Sequence, residues 1–259
     1  MPYAQLQESI FYAHHRSRTL PQGAPSLVCV HGAGGSHLNW PVEIRQLPGA
    51  SVYVLDLPGH GRSAGEGCRS IEGYAAVLSD FLDALQLEQA VMVGHSMGGA
   101  IAQQMALSYP DRVQALVLIG TGARLRVAPA ILQAILEDFE TAVSSMVDWV
   151  YSPDASPLLR QQGQQVLAQT PQQVMHGDFV ACDTFDVMDR LGEVRAPALV
   201  ITGTADRLTP VKYARLLAQQ IPTAHIELLE NAGHMVMLER PRQVADAVSR
   251  FLSALPGRF

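Results

Sequence analysis

The sequence predicts an α/β fold, a mostly parallel central sheet with helices on both faces and one helical insertion. Short apolar runs typical of buried strands alternate with amphipathic segments of helical spacing along most of the chain. Strands that alternate with helices favour parallel pairing through crossover connections. At 259 residues, 48% of them hydrophobic and 16% charged, the chain is long enough for a full core and one insertion.

The first part of the core is predicted over residues 1–124. Its predicted strands are an edge strand within residues 3–14 and strands over residues 26–30, 52–55, 90–93 and 113–119. Three helices are predicted between them. The first covers residues 40–46, with Asn39 as its cap and Pro41 in its first turn. The second follows Ser70 as far as Leu85, and the third covers residues 100–107.

The alternation stops over residues 125–191, where we find no convincing strand. Apolar residues from Pro129 to Phe139 predict one helix, those from Val143 to Val150 predict another, and shorter pieces follow. We interpret residues 125–191 as a helical cap over the sheet. The second part of the core is predicted over residues 192–259, with strands over 198–201 and 225–229 and helices ending near 219 and 252.

The motif Gly94-x-Ser96-x-Gly98 stands between a predicted buried strand and a predicted helix. A serine in so sharp a turn takes a strained backbone conformation, and glycines on either side relieve the crowding around it. The hydroxyl would then stand at the top of the sheet, at the positive end of a helix. This context predicts that Ser96 is a nucleophile.

Two further polar residues follow predicted strands, Asp206 after one and His234 after the next. The carboxyl ends of parallel strands share one rim, so all three side chains are expected there. The order Ser, Asp, His suits a triad in which His234 accepts the serine proton and Asp206 orients the imidazole. We expect His95 to be structural and His60 to brace its turn.

Acyl transfer also needs donors for the developing oxyanion. The backbone N–H of Met97 is expected to be one donor, and that of Ala33 the second, with Gly34 as the alternative. A phosphate-binding role for this glycine-rich loop is disfavoured, because no Gly-Lys-Ser/Thr follows and no acidic residue stands at dinucleotide spacing.

With these motifs in place, the sequence resembles the α/β-hydrolase fold family over nearly its whole length. The matching segments are His31-Gly32, Asp56-x-Pro58-Gly59-x-Gly61-x-Ser63, residues 94–99, Gly203-x-x-Asp206 and Gly233-His234. Within the family it is similar to bacterial carboxylesterases, enol-lactonases and meta-cleavage-product hydrolases with a helical cap. The resemblance implies a triad hydrolase without a metal or organic cofactor.

The same resemblance weighs against some members of the family. Epoxide hydrolases and haloalkane dehalogenases use an aspartate nucleophile, where this sequence has Ser96. Carbon–carbon hydrolases tend to carry Asn before the nucleophile and Trp after the catalytic histidine. Here those positions hold His95 and Met235.

Composition argues against several other classes of protein. The formal net charge is −6 and no basic run appears, so nucleic-acid binding is not expected. No signal segment and no apolar stretch long enough to cross a bilayer is found, and the three cysteines show no disulfide or metal spacing. We therefore expect a cytoplasmic protein that acts on a small molecule and binds no membrane. The oligomeric state stays open.

The leading functional hypothesis is hydrolysis of a carboxylic ester with a small or medium apolar acyl group. Candidate pocket residues are Leu38, Trp40, Met97, Met146, Trp149, Leu208 and Met235. A lactonase or carbon–carbon hydrolase is the alternative enzyme, with Arg124 and Arg126 as candidate partners for a substrate carboxylate. A slow or inactive ligand-binding homologue is the third possibility.

Overall fold

The structure is a computed structural model that describes residues 2–17, 20–21 and 23–255. Within them lies one eight-stranded sheet of order β1-β2-β4-β3-β5-β6-β7-β8. The strands are β1 Tyr3–Gln5, β2 Ser9–Arg16, β3 Ser26–Val30, β4 Ser51–Leu55, β5 Ala90–His95, β6 Val113–Ile119, β7 Ala198–Gly203 and β8 Ala224–Leu229. β2 pairs antiparallel with β1 and β4, and every later pairing is parallel.

Helices cover both faces of this sheet. They are α1 Val42–Arg45, α2 Ile71–Ala84, α3 Met97–Ser108, α4 Pro129–Glu137, α5 Phe139–Val150, α6 Pro157–Gln169, α7 Gln172–Thr184, α8 Val211–Gln220, α9 Val236–Glu239 and α10 Pro241–Ala254. Alternate strand residues face opposite sides. Val28 belongs to the buried cluster that includes residues of α2, α3 and α8, whereas Cys29 belongs to the cluster that includes residues of α1 and α10. The predicted fold class is confirmed.

The N-terminal region differs from the prediction in two places. The single edge strand expected over residues 3–14 is two strands, β1 and β2, paired antiparallel. The predicted helix over 40–46 is a 3₁₀ turn over His37–Asn39 followed by the four-residue α1. Asn39 does not cap α1, because its side chain accepts the N–H of Ser36, which caps the 3₁₀ turn instead.

Four helices, α4 to α7, connect β6 to β7, and we call this region, residues 125–191, the helical insertion. Its first predicted helix ends two residues early. Asp138 caps the next helix by accepting the N–H of Thr141 at 3.1 Å, so Phe139 begins α5. An isolated antiparallel bridge joins Arg124 to Asp186 at the base of the insertion. The limits 125 and 191 stay predictions, and the outer limits 1 and 259 lie outside the described residues.

No helix in the described part of the chain is both long enough and apolar enough to span a bilayer.

Candidate active site

Ser96 occupies a sharp turn between β5 and α3. Its φ is 54° and its ψ −117°, a left-handed conformation that a residue with a side chain rarely adopts. The two flanking glycines allow the turn. A Cβ on Gly94 would collide with the Gly98 carbonyl, and a Cβ on Gly98 would collide with the Val30 carbonyl. The tight turn presents the half-buried Ser96 to a cavity above the sheet.

Asp206 and His234 meet beyond the carboxyl ends of β7 and β8. The His234 Nδ1 and Asp206 Oδ2 atoms are 2.9 Å apart, and both side chains are almost fully buried. Since Asp206 Oδ2 accepts from Nδ1–H, the Nε2 atom of the neutral imidazole is left as a proton acceptor. His234 and Ser96 line the same cavity.

A second residue, Thr209, holds the Asp206 carboxylate. Its hydroxyl donates to Oδ2 at 2.7 Å, and its N–H, with that of Leu208, donates to Oδ1 at 2.9 Å. Burial raises the pKa of Asp206, but His234 and the Thr209 hydrogen bonds outweigh this effect and bring the pKa below its ordinary value. Asp206 is therefore ionised at neutral pH. Sequence reasoning missed Thr209; the available signal was Asp206 itself, because an aspartate in a loop suits an Asx turn that draws the following N–H groups to its carboxylate.

His95 packs against His234 and also lines part of the cavity. Its Nε2 is 3.0 Å from the His234 carbonyl oxygen, and the two rings are 4.8 Å apart between centroids. Burial and the neighbouring His234 lower the pKa of His95 to about 3. His95 is therefore neutral and its Nε2–H holds the His234 backbone, a structural position.

The loop over residues 31–36 follows β3 and approaches Ser96. We call it the oxyanion loop after the donor predicted in it. The N–H of Gly34 donates to the Asp178 carboxylate at 2.9 Å, so it is occupied. Within the described residues, the N–H groups of Ala33 and Met97 have no hydrogen-bond acceptor. Of the two alternatives for the second donor, this geometry favours Ala33.

A cavity of about 420 Å³ opens above Ser96 and His234, and its walls are mostly apolar. Four of the predicted pocket residues line it: Met146, Trp149, Leu208 and Met235. The helical insertion supplies most of the remaining wall, including Ile131, Ala142, Leu167, Phe179 and Cys182. Arg126 also lines the cavity, while Arg124 lies outside it and pairs with Asp186 at 3.7 Å.

Leu38 and Trp40 do not line this cavity, and their assignment to the pocket is corrected. The 3₁₀ turn over His37–Asn39 directs Leu38 outward, where it is 54% exposed beside a separate surface notch. Trp40, just past that turn, is fully buried in the hydrophobic core. The side chain of Met97 is likewise buried in the core on the opposite face.

A buried polar cluster between the insertion and the core was not predicted. Asp178 of α7 accepts from Tyr74 Oη at 2.5 Å, from His60 Nε2 at 2.8 Å and from Gly34 N. His60 thus braces its own turn through Pro58 and also connects that turn to the insertion through Asp178. The available signal was the spacing of Asp178 with the apolar Val174, Ala181 and Cys182, which puts a carboxylate on the buried face of the helix.

Among the described residues, no group of three or more His, Cys, Asp or Glu side chains is placed to hold a metal ion.

Known proteins resemble this chain in sequence and in structure. The sequence model of the α/β hydrolase fold matches residues 25–241. A pimeloyl-[acyl-carrier protein] methyl ester esterase of Salmonella newport is 29% identical, over 92% of this chain and 98% of its own. A 2-hydroxy-6-oxononadienedioate/2-hydroxy-6-oxononatrienedioate hydrolase of Burkholderia vietnamiensis is 33% identical, over 89% and 88%. The structure of a thermophilic esterase aligns with a TM-score of 0.86 and 32% identity, over 97% and 96%.

Proposed function

Because the chain is an enzyme of the α/β-hydrolase fold family, we propose that it cleaves carboxylic esters of small to medium apolar acyl groups through an acyl-enzyme. The observation that carries the proposal is the 2.9 Å contact between His234 Nδ1 and Asp206 Oδ2, beside the same cavity that Ser96 lines. This arrangement leaves Nε2 of His234 as a base for the Ser96 hydroxyl.

In the first half-reaction, the Ser96 oxygen attacks the ester carbonyl while His234 Nε2 takes the hydroxyl proton. The buried, ionised Asp206 stabilises the resulting imidazolium and keeps its orientation. The imidazolium then protonates the leaving alkoxide, and the alcohol departs. In the second half-reaction, His234 activates a water molecule, which hydrolyses the acyl-enzyme and regenerates Ser96.

The tetrahedral intermediate carries a negative oxygen, which the N–H groups of Met97 and Ala33 stabilise. Met97 is the first residue of α3, so its N–H points out of the positive end of the helix. Preorganised donors of this kind contribute about 10²- to 10³-fold to kcat for each donor.

The helical insertion acts in this proposal as the cap that sets the choice of substrate. Its apolar side chains form most of the cavity wall, and a volume of about 420 Å³ suits a compact ligand. Trp149, 46% exposed yet part of the wall, stands at the entrance.

A second candidate function is cleavage of a lactone or a carbon–carbon bond in a substrate that carries a carboxylate. Arg126 supports it, since this cation lines a mostly apolar cavity. The 33% identity to a hydrolase named for a dioate also favours it. Against it, Arg126 is exposed and donates from Nη1 to the Asp183 carbonyl at 3.1 Å.

A substrate panel tests the proposal. Wild type, Ser96→Ala and a control, Ser108→Ala at the exposed end of the same helix, are assayed with p-nitrophenyl esters, lactones and a vinylogous diketone. We expect rapid ester hydrolysis by wild type and Ser108→Ala, and a loss on the order of 10⁶ in kcat for Ser96→Ala. A folded Ser96→Ala protein that keeps substantial activity would contradict the mechanism. A preference for the diketone or lactones would favour the second candidate.

A further inference from the structure

Side chains of the helical insertion form hydrogen bonds with both the N–H and the C=O of Gly34 in the oxyanion loop. Gly34 donates its N–H to Asp178 Oδ2 at 2.9 Å and accepts the Thr170 hydroxyl at its carbonyl at 2.8 Å. Asp178 and Thr170 are both buried, and they belong to the insertion, more than 130 residues along the chain from Gly34. Met175 and Leu167 of the insertion close over the position where a Gly34 Cβ would stand.

We propose that Asp178 and Thr170 are positioning residues through which the helical insertion holds the oxyanion loop in its catalytic geometry. The inference rests on the proposed function, since it concerns the oxyanion donor of that reaction. The Gly34 carbonyl belongs to the peptide that carries the Gly35 N–H, and that N–H donates at 3.0 Å to the Gly32 carbonyl, on the peptide that carries the Ala33 donor. Holding Gly34 therefore also restrains the Ala33 N–H. Contacts of the insertion thereby reach the reaction centre without touching the substrate.

The proton count around Asp178 identifies Gly34 as the sensitive partner. His60 faces an acceptor at each ring nitrogen, the Pro58 carbonyl at 2.9 Å from Nδ1 and Asp178 Oδ2 at 2.8 Å from Nε2. A neutral imidazole carries one N–H, but two acceptors need two. The His60–Asp178 pair therefore holds one proton more than a neutral histidine beside a carboxylate would. Tyr74 donates to the other carboxylate oxygen. Asp178 therefore accepts three donors: Gly34, His60 and Tyr74.

This count predicts what an amide does in the same place. In Asp178→Asn, the amide oxygen can accept from Tyr74, while the amide NH₂ donates to Nε2 of a neutral His60 that still donates from Nδ1 to Pro58. Tyr74 and His60 both keep a hydrogen bond in that orientation. In the opposite orientation the amide oxygen needs a proton on His60 Nε2, so an unprotonated Nδ1 faces the Pro58 carbonyl, and Tyr74 loses its acceptor. The favoured orientation turns the NH₂ toward the Gly34 N–H. The isosteric change thus removes the acceptor of Gly34 alone.

The test compares Asp178→Asn and Thr170→Val with a control, Asp183→Asn. Asp183 is on the same helix and accepts a backbone N–H, that of Val127, at 3.0 Å, but it does not contact the oxyanion loop. The readouts are kcat and KM for a p-nitrophenyl ester and the inhibition constant of a short alkyl trifluoromethyl ketone. That ketone forms a tetrahedral adduct, so its affinity reports on the oxyanion donors.

We expect kcat of Asp178→Asn to fall about 10- to 100-fold with KM nearly unchanged, because donor displacements near 1 Å have effects of this size. The inhibition constant of the ketone should rise by the same factor. Thr170→Val should change both quantities in the same direction by less, and it carries the test if Asp178→Asn does not fold. Asp183→Asn should match wild type.

Two outcomes would overturn the inference. One is a folded Asp178→Asn or Thr170→Val with the kcat and ketone affinity of wild type. The other is an equal loss in Asp183→Asn, which would indicate a general disturbance of the insertion. An inactive wild-type protein whose Ser96 reacts with no fluorophosphonate would contradict the proposed function itself. If wild type is active but Asp178→Asn and Thr170→Val keep its kcat and ketone affinity, only the positioning role is contradicted. We call the two hydrogen bonds from Asp178 and Thr170 to Gly34 the clamp.

Discussion

Replacing Asp206 with asparagine should disable the base without altering the shape of the site. The Oδ1 position of Asp206 receives the N–H groups of Leu208 and Thr209, both at 2.9 Å. The Oδ2 position receives His234 Nδ1–H and the Thr209 hydroxyl. The amide oxygen of Asp206→Asn should remain at the Oδ1 position, because two backbone donors require an acceptor there. Its NH₂ then faces His234 Nδ1 and forces the proton onto Nε2.

The size of the loss follows from the cost of the opposite orientation. Turning the amide would leave the buried N–H of Thr209 and the partly buried N–H of Leu208 without acceptors, at about 1–3 kcal/mol each. A total of about 2–6 kcal/mol reduces the active tautomer between about 30-fold and a few times 10⁴-fold. The matching change in a serine protease lowers kcat about 10⁴-fold, which lies within this range.

The assay is kcat/KM for p-nitrophenyl butyrate at neutral pH, with circular dichroism to verify the fold. Thr209→Val is the control, because it removes one hydrogen bond from Asp206 but leaves the His234–Asp206 contact and the imidazole tautomer. We expect its loss to be far smaller than that of Asp206→Asn. The smallest predicted loss is about 30-fold. The tautomer argument is therefore refuted if folded Asp206→Asn keeps more than about a tenth of wild-type activity.

The remaining predictions concern the pocket, the turn and the pH dependence of stability. Trp149→Ala should shift kcat/KM toward bulkier acyl groups by about 10- to 200-fold in a chain-length series, and an unchanged profile would remove Trp149 from the pocket. Gly98→Ala should abolish activity and lower the melting temperature, because its Cβ meets the Val30 carbonyl; wild-type behaviour would contradict the close packing. Burial lowers the pKa of His60, but Asp178 raises it above the ordinary value of about 6.5. The His60–Asp178 pair therefore contributes its full stabilisation below about pH 6.5, and this contribution is lost as the pH rises through the raised pKa of His60. In urea titrations, the free energy of unfolding should fall more steeply with rising pH for wild type than for Asp178→Asn.

The sequence was most informative where a structural rule acts locally. Buried parallel strands are continuous apolar runs, so β3 and β6 could be predicted to the residue. The rim positions of Asp206 and His234 followed from the strands before them, because parallel strands end at one edge. The catalytic roles of these residues stay predictions until the variants are measured.

Features that depend on long-range packing could not be predicted in the same way. Leu38 is exposed and Trp40 is buried in the core, although both were expected to line the pocket, because a 3₁₀ turn leads into α1. Asp178 escaped notice because its partners lie 104, 118 and 144 residues away in the chain. Four of the pocket residues lie in the cavity wall, but no periodicity in the sequence distinguishes a face that lines a cavity from one that packs on another helix.

The clamp on Gly34 limits how freely the insertion could be exchanged between related enzymes. The insertion leaves and re-enters the sheet at two adjacent strands, β6 and β7, which makes it look like a module that can be replaced to change the substrate. A foreign insertion without counterparts of Asp178 and Thr170 would bring a new pocket and, at the same time, release the oxyanion loop. Chimeric enzymes made at this junction should therefore acquire the donor's selectivity but turn over slowly. Restoring the two side chains in the grafted segment should recover the rate.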